Sequence, residues 1–113
     1  MRPVPTAAPI AAVVLFAAPA AALLLASPAI AEPFPVVGGY GFDWLKPKTS
    51  QCRRITQVEA ASFRSCSFSP AGQAFGLPSA YHTCGAPGRS EILVYGSPAQ
   101  CAEAFQMMQA HEP

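Results

Sequence analysis

The sequence is poor in the residues and motifs from which catalytic and metal sites are usually built. Only 12% of its 113 residues are charged, Asp43 is its only aspartate, and His82 and His111 are its only histidines. It has no C-x-x-C, H-x-x-x-H or G-x-S-x-G motif, the patterns typical of thiol exchange, zinc binding and serine hydrolysis. It also lacks suitably spaced paired carboxylates and a phosphate-binding loop. These absences argue against the common enzyme classes.

Charge is also missing from a long N-terminal stretch. Residues 3–31 contain no charged side chain and consist mainly of Ala, Val, Leu and Pro, whereas Arg2 gives the chain a positive start. The apolar run over residues 10–26 and the small-x-small sequence over residues 29–31 are typical of a signal peptide that is cut after residue 31. A retained membrane anchor is the alternative, but Pro19 interrupts the run, and alanine favours membrane insertion less than leucine does.

Removing residues 1–31 from the 113-residue chain leaves 82 residues, in which six Lys and Arg balance six Asp and Glu. A neutral chain argues against nucleic acid as a partner, because phosphate binding needs a basic surface. We expect membrane contact only if the signal segment is retained. We divide the rest of the chain into a flexible lead-in rich in Pro, Gly and aromatic residues over 32–48 and a small disulfide-stabilised domain over 49–113.

The mature chain contains four cysteines, Cys52, Cys66, Cys84 and Cys101. An even number of cysteines in a short exported chain predicts disulfides, and hence a periplasmic or extracellular location. If the C-terminal helix folds back along the strand before it, Cys101 in its first turn lies far from the turn near Cys84. Since bonded cysteines need Cα atoms within about 7 Å, we favour the pairs Cys66–Cys84 and Cys52–Cys101. A core this small is marginal without such bonds, each of which contributes about 2–4 kcal/mol.

The periodicity predicts an α+β fold, with about three antiparallel strands and a C-terminal helix packed on one face. Residues 63–68, 80–84 and 91–95 have strand patterns, and the last of these is apolar on both faces, as a central strand is. A helix is expected over residues 98–110, because Ser97, Pro98 and Gln100 form an N-terminal capping pattern. One face of this helix carries apolar residues at helical spacing: Cys101, Ala104, Phe105 and Met108.

The segment between the lead-in and the first of these strands has two interpretations. Residues 52–55 form one turn of a helix that begins near Thr49 or Ser50, or they form a short strand. In the second case Thr56 and Glu59 make a capping box that opens a short helix. We prefer the strand and helix, because this interpretation uses a specific cap pair.

The best candidate for a binding surface lies around this same region. It combines two aromatic residues with four of the six positive charges of the mature chain: Phe42, Trp44, Lys46, Lys48, Arg53 and Arg54. Aromatic residues in small domains more often cover a core, and charged runs are usually solvated. Both alternatives therefore stay open.

We accordingly expect an exported accessory or binding protein, non-enzymatic and without a cofactor, whose partner is an unknown protein or cell-envelope component. The N-terminus, rich in Ala and Pro, is typical of short exported bacterial proteins. The alternative is a small redox or metal-binding protein that uses His82, Cys84 and Cys101. It is favoured by His82 and Cys84 sharing one face of a strand and by Cys101 lying in the first turn of a helix.

Overall fold

The computed structural model describes residues 31–111, which form a five-stranded antiparallel sheet with one long helix. The predicted signal peptide therefore lies outside the described residues, apart from Ala31. The strands follow the order β2-β1-β5-β4-β3 across the sheet. The elements, in chain order, are β1 (Tyr40–Asp43), β2 (Arg53–Arg54), α1 (Gln57–Ala60), β3 (Cys66–Ser69), a 3-10 turn (Ala74–Gly76), β4 (Tyr81–Ala86), β5 (Ser90–Tyr95) and α2 (Pro98–Ala110).

The α+β class is confirmed, but the sheet has five strands instead of about three. Strands β3, β4 and β5 correspond to the three predicted strands, and the short β2 is the one that we preferred before the capping box. Strand β1 was not predicted, because it lies within residues 32–48, which we interpreted as a flexible lead-in. It pairs with β5 over its whole length, from Tyr40 opposite Tyr95 to Asp43 opposite Ile92.

Glycines are the reason that β1 was missed. The segment that contains β1 shows no hydrophobic alternation, because Gly39 and Gly41 stand where one face of a strand would carry side chains. At these positions the backbone makes close contacts instead. A Cβ atom at Gly39 would lie 2.6 Å from Cγ1 of Val94, and one at Gly41 would lie 2.7 Å from the carbonyl oxygen of Leu93. Glycine within a strand can mark such close approach instead of flexibility.

Strand β5 is the centre of the sheet, as predicted from its apolar residues. It pairs with β1 on one side and β4 on the other, and its last four residues, 92–95, are buried. Its side chains alternate between two separate clusters, which define the two faces of the sheet. The cluster on the helix face contains Phe42, Leu93, Tyr95, Cys101, Ala104 and Met108. The cluster on the opposite face contains Ile55, Cys84, Ile92 and Val94.

Helix α2 has the predicted bounds and covers the helix face. Its N-terminus is capped by Ser97, whose Oγ accepts a hydrogen bond of 3.2 Å from the backbone N–H of Gln100. The predicted apolar face packs on the sheet, and the ring of Phe105 meets that of Phe42 edge-on, with 5.3 Å between centroids. Helix α1 is capped in the same way, because Oγ1 of Thr56 accepts from the N–H of Glu59.

The four cysteines form two disulfides, in the same two pairs that we favoured from the sequence. Cys52–Cys101 joins α2 to the chain just before β2, and Cys66–Cys84 joins directly opposed residues of β3 and β4. Two disulfides indicate that the protein folds in an oxidising environment outside the cytoplasm. Within residues 31–111, no helix has both the length and the hydrophobicity to cross a bilayer.

Candidate functional site

An open pocket of about 230 Å³ lies at one end of the helix face. It brings together three aromatic side chains and one carboxylate that are far apart in the sequence. We call it the Trp44 pocket, and its lining residues are Trp44, Ala74, Phe75, Tyr81, Thr83, Glu91 and Leu93. The sheet supplies one wall, because Thr83 of β4 lies opposite Leu93 of β5, and Tyr81 and Glu91 each lie two residues away on the same face.

The position of Trp44 is fixed by a hydrogen bond and by the turn after β1. Its Nε1 donates to Oε1 of Glu91 at 2.7 Å, and its backbone N–H donates to the carbonyl oxygen of Glu91 at 3.3 Å. Oδ1 of the buried Asp43 accepts from the N–H of Leu45 at 3.0 Å and from that of Glu91 at 3.3 Å. Trp44 is nevertheless 38% exposed, so part of its ring faces solvent at the pocket.

Phe75 forms the wall of the pocket that faces the sheet. Its backbone conformation is unusual. It has a φ of 55° within the 3-10 turn, and Gln73 just before the turn has a φ of 91°. Left-handed conformations of bulky residues cost about 1–3 kcal/mol, and they cluster at ligand sites. The turn is closed by the N–H of Gln73, which donates to the carbonyl oxygen of Leu77 at 2.7 Å, and the Phe75 ring stacks near Phe42. The fold thus maintains a strained turn that presents an aromatic ring to the pocket.

The electrostatics of the pocket are set by Glu91. Two ion pairs occur among residues 31–111, Lys46 with Asp43 and Arg53 with Glu59, and Glu91 belongs to neither. Lys46 lies near the pocket, but its Nζ donates to the carbonyl oxygen of Gly88 at 2.6 Å and to Oγ of Ser90 at 2.7 Å. It therefore fixes the β4–β5 loop and Asp43. The carboxylate of Glu91 therefore supplies the negative charge of the pocket, and the indole N–H of Trp44 orients it.

Only part of the predicted binding surface is exposed to solvent. Phe42 does not belong to it: its side chain is 0% exposed and lies in the helix-face cluster between Tyr95, Phe75 and Phe105. It is buried because β1 is a full strand of the sheet, with Phe42 directed under α2. The other five side chains are exposed, and their role in binding stays a prediction: Trp44, Lys46, Lys48, Arg53 and Arg54.

The alternative redox or metal site is not assembled. Cys84 and Cys101 belong to different disulfides and to the clusters on opposite faces of the sheet. Nε2 of His82 donates a hydrogen bond of 2.6 Å to the carbonyl oxygen of Phe34, and the two rings meet edge-on. His82 thus attaches the chain before β1 to the opposite face. Within the described part of the chain, no three or more His, Cys, Asp or Glu residues are grouped as metal ligands would be.

Sequence patterns could not have located the Trp44 pocket. Phe75 lay in no predicted element, and Glu91 was only the first residue of a predicted strand. Tyr81 was one residue of a predicted strand, and Trp44 was singled out for its neighbours Lys46 and Phe42 instead of for Glu91. The signal that could have linked them is strand pairing, which brings Tyr81 and Glu91 to neighbouring strands but requires the register to be known.

The chain matches no protein family, curated protein or solved structure with which it was compared. Its function is therefore argued from the geometry and chemistry of its own residues. The pocket is the feature of the described residues that combines exposed aromatic surface, a fixed polar group and a strained backbone.

Proposed function

We propose that this protein is a small exported binding domain without catalytic activity, acting in the periplasm or outside the cell, and that its ligand enters the Trp44 pocket. The observation that carries the proposal is the convergence of three aromatic rings and an oriented carboxylate on one open cavity. Ligand sites are concave, mostly apolar, and contain a few fixed polar groups. The two disulfides support export, since such bonds persist in oxidising compartments.

The residues around the cavity favour binding over catalysis. Nucleophilic catalysis needs a nucleophile next to a base, and general acid–base catalysis usually needs histidine or paired carboxylates. Among the described residues that line the pocket, Glu91 is the one carboxylate, and none is histidine, cysteine or lysine. Glu91 is moreover engaged by the indole N–H of Trp44. These groups can orient and retain a ligand.

The size of the cavity limits what it holds. Its volume of about 230 Å³ is below the range of roughly 300–1,000 Å³ that is usual for drug-sized ligands. The pocket therefore accommodates a single compact chemical group, either as a small molecule or as the end of a larger one. A partner such as a protein or cell-envelope component would insert one such group between Trp44 and Phe75.

Saturation-transfer NMR with a panel of small cationic, neutral and anionic compounds tests this proposal. Compounds that receive magnetisation from the wild-type protein should lose most of it with Trp44→Ala and keep it with Val58→Ala, a matched truncation of a side chain that is 85% exposed on α1. Circular dichroism establishes that both variants are folded. No contact with any compound, or contacts that persist in Trp44→Ala, would refute a ligand site at Trp44.

A further inference from the structure

We infer that the group bound in the Trp44 pocket is a quaternary ammonium ion, such as the trimethylammonium end of choline. This inference rests on the proposed function, because it names the chemical class that the same pocket selects. It is supported by three properties of the site: the aromatic rings, the charge of Glu91, and the apolar character of the rest of the lining.

The aromatic rings provide the first argument. The face of an aromatic ring carries negative potential, and it attracts a cation that lies within about 6 Å, with tryptophan giving the strongest attraction. Trp44, Phe75 and Tyr81 come from the turn after β1, the 3-10 turn and β4, and they border one small cavity. Several rings around one compact volume are the arrangement by which proteins recognise quaternary ammonium groups.

The charge of Glu91 provides the second argument. Among the described residues it makes no ion pair, and the hydrogen bond from Trp44 holds its carboxylate at the pocket. The nearby Lys46 is occupied by Asp43, Gly88 and Ser90. A half-buried carboxylate favours a cation in the cavity and repels an anion. Anionic ligands are therefore disfavoured, and a cationic ligand is favoured over a neutral one of the same shape.

The composition of the rest of the lining distinguishes a quaternary from a primary ammonium ion. A primary ammonium group brings three N–H donors, each of which loses a water partner on binding. The acceptors that the pocket side chains supply are the Glu91 carboxylate, of which Oε1 already accepts from Trp44, and the hydroxyls of Tyr81 and Thr83. The other lining side chains are aliphatic or aromatic and accept no hydrogen bond from an ammonium group. A quaternary ion has no N–H donors and presents only methyl groups, which match the apolar remainder of the lining.

The test uses Trp44 itself as the reporter, because it is the only tryptophan of the chain. The exported protein with both disulfides intact is titrated at constant ionic strength with choline and with 3,3-dimethyl-1-butanol, the neutral compound of the same shape. Tetramethylammonium and methylammonium form a second pair. We expect a saturable change in tryptophan emission, with choline binding about tenfold more tightly than the alcohol, the upper part of the range for a cation on aromatic rings. Tetramethylammonium should bind more tightly than methylammonium.

Two charge-neutralising variants complete the experiment. Glu91→Gln keeps an oxygen that accepts from the indole N–H but removes the charge, so it should weaken choline binding about fivefold or more and leave the alcohol unaffected. Glu103→Gln makes the same change at an exposed position on α2 and should alter neither affinity.

The outcomes separate this inference from the proposed function. Equal affinity for choline and the alcohol would overturn the choice of a cation, yet it would retain the pocket as a ligand site. Tighter binding of methylammonium than of tetramethylammonium would overturn the choice of a quaternary ion. If none of the four compounds gives a response, the inference as a whole is overturned. The proposed function is then decided separately, by the broader NMR panel and its Trp44→Ala control.

Discussion

The two faces of the sheet are covered in different ways. On the helix face, α2 and the 3-10 turn pack over the rings of Phe42 and Tyr95. On the opposite face the cover consists mostly of irregular chain, with Phe34, Val36 and the short α1 packing around Ile55. Each face contains one buried cysteine of a disulfide: Cys101 on the helix face and Cys84 on the opposite face.

The difference shows how a chain of this size divides its stabilising interactions. A long amphipathic helix buries a continuous apolar face by itself, and the disulfide to Cys52 fixes where that helix lies. The opposite face has no such helix, so a cross-strand disulfide and the contact between Phe34 and His82 hold its edge. The helix face also forms the Trp44 pocket, because α2 does not extend over Trp44 and Glu91.

The largest expected effect follows from removing the disulfide of the helix face. Its cysteines are 49 residues apart, and closing a loop of that length in the unfolded chain corresponds to about 4 kcal/mol in the chain-entropy model. The double variant Cys52→Ala/Cys101→Ala should lose about this much free energy of unfolding, as measured by urea denaturation. A loss below about 1 kcal/mol would contradict the role given to this bond.

Removing the disulfide of the opposite face should have a smaller effect. Cys66 and Cys84 are 18 residues apart, which corresponds to about 3 kcal/mol in the same model. The variant Cys66→Ala/Cys84→Ala should therefore unfold at a higher urea concentration than the first double variant. The reverse order would show that the cross-strand bond, and not the bond to α2, contributes more to stability.

The close packing of the chain just before β1 against β5 gives the next prediction. Gly39→Ala should reduce the free energy of unfolding by about 1–3 kcal/mol, since the new Cβ would lie 2.6 Å from Val94 and 3.0 Å from the carbonyl oxygen of Tyr95. Gly85→Ala is the matched control, because nothing lies within 4 Å of its added Cβ. Equal stability of the two variants in thermal denaturation would mean that β1 is not packed as described.

The smallest effect concerns a buried hydroxyl on the helix face. The Tyr95 hydroxyl has no hydrogen-bond partner among the described residues, and burial, with a contribution from Tyr81, raises its pKa. Tyr95→Phe should therefore be neutral or stabilising by up to about 1 kcal/mol at pH 7, since it removes an unsatisfied polar group. A loss of more than about 1 kcal/mol would reveal a partner for this hydroxyl.

The raised pKa of Tyr95 also predicts a pH dependence. In the unfolded chain a tyrosine ionises near pH 10, whereas the folded state keeps the Tyr95 proton to higher pH. Ionisation of this group thus leaves the free energy of unfolding unchanged below about pH 10 and lowers it as the pH rises from there towards the folded-state pKa. Urea denaturation between pH 9 and 11 should show a shallower decline for Tyr95→Phe than for the wild type, and identical slopes would contradict the shift.

The parts of the fold that could be predicted are those that local chemistry determines. Ser97, Pro98 and Gln100 fixed the start of α2, and the apolar run over residues 92–95 identified the central strand. Strand β1 was missed, because its glycines act through contacts with Val94 and Leu93 that exist only after the strands have paired.

The candidate site was harder to predict for a similar reason. Its members come from four separate stretches of chain, and Phe75 reaches the pocket through a left-handed conformation that no local pattern indicates. The aromatic and basic cluster named from the sequence included Trp44 but attached it to Phe42, a core residue. Proximity in sequence was a poor guide to a site that tertiary contacts assemble.

Intermolecular NOEs between choline and the folded, oxidised protein would locate the bound cation among the side chains of the pocket. We expect the N-methyl protons to give NOEs to ring protons of Trp44, Phe75 and Tyr81 together. NOEs confined to other residues, or a bound choline with none to these three rings, would show that this pocket is not the binding site.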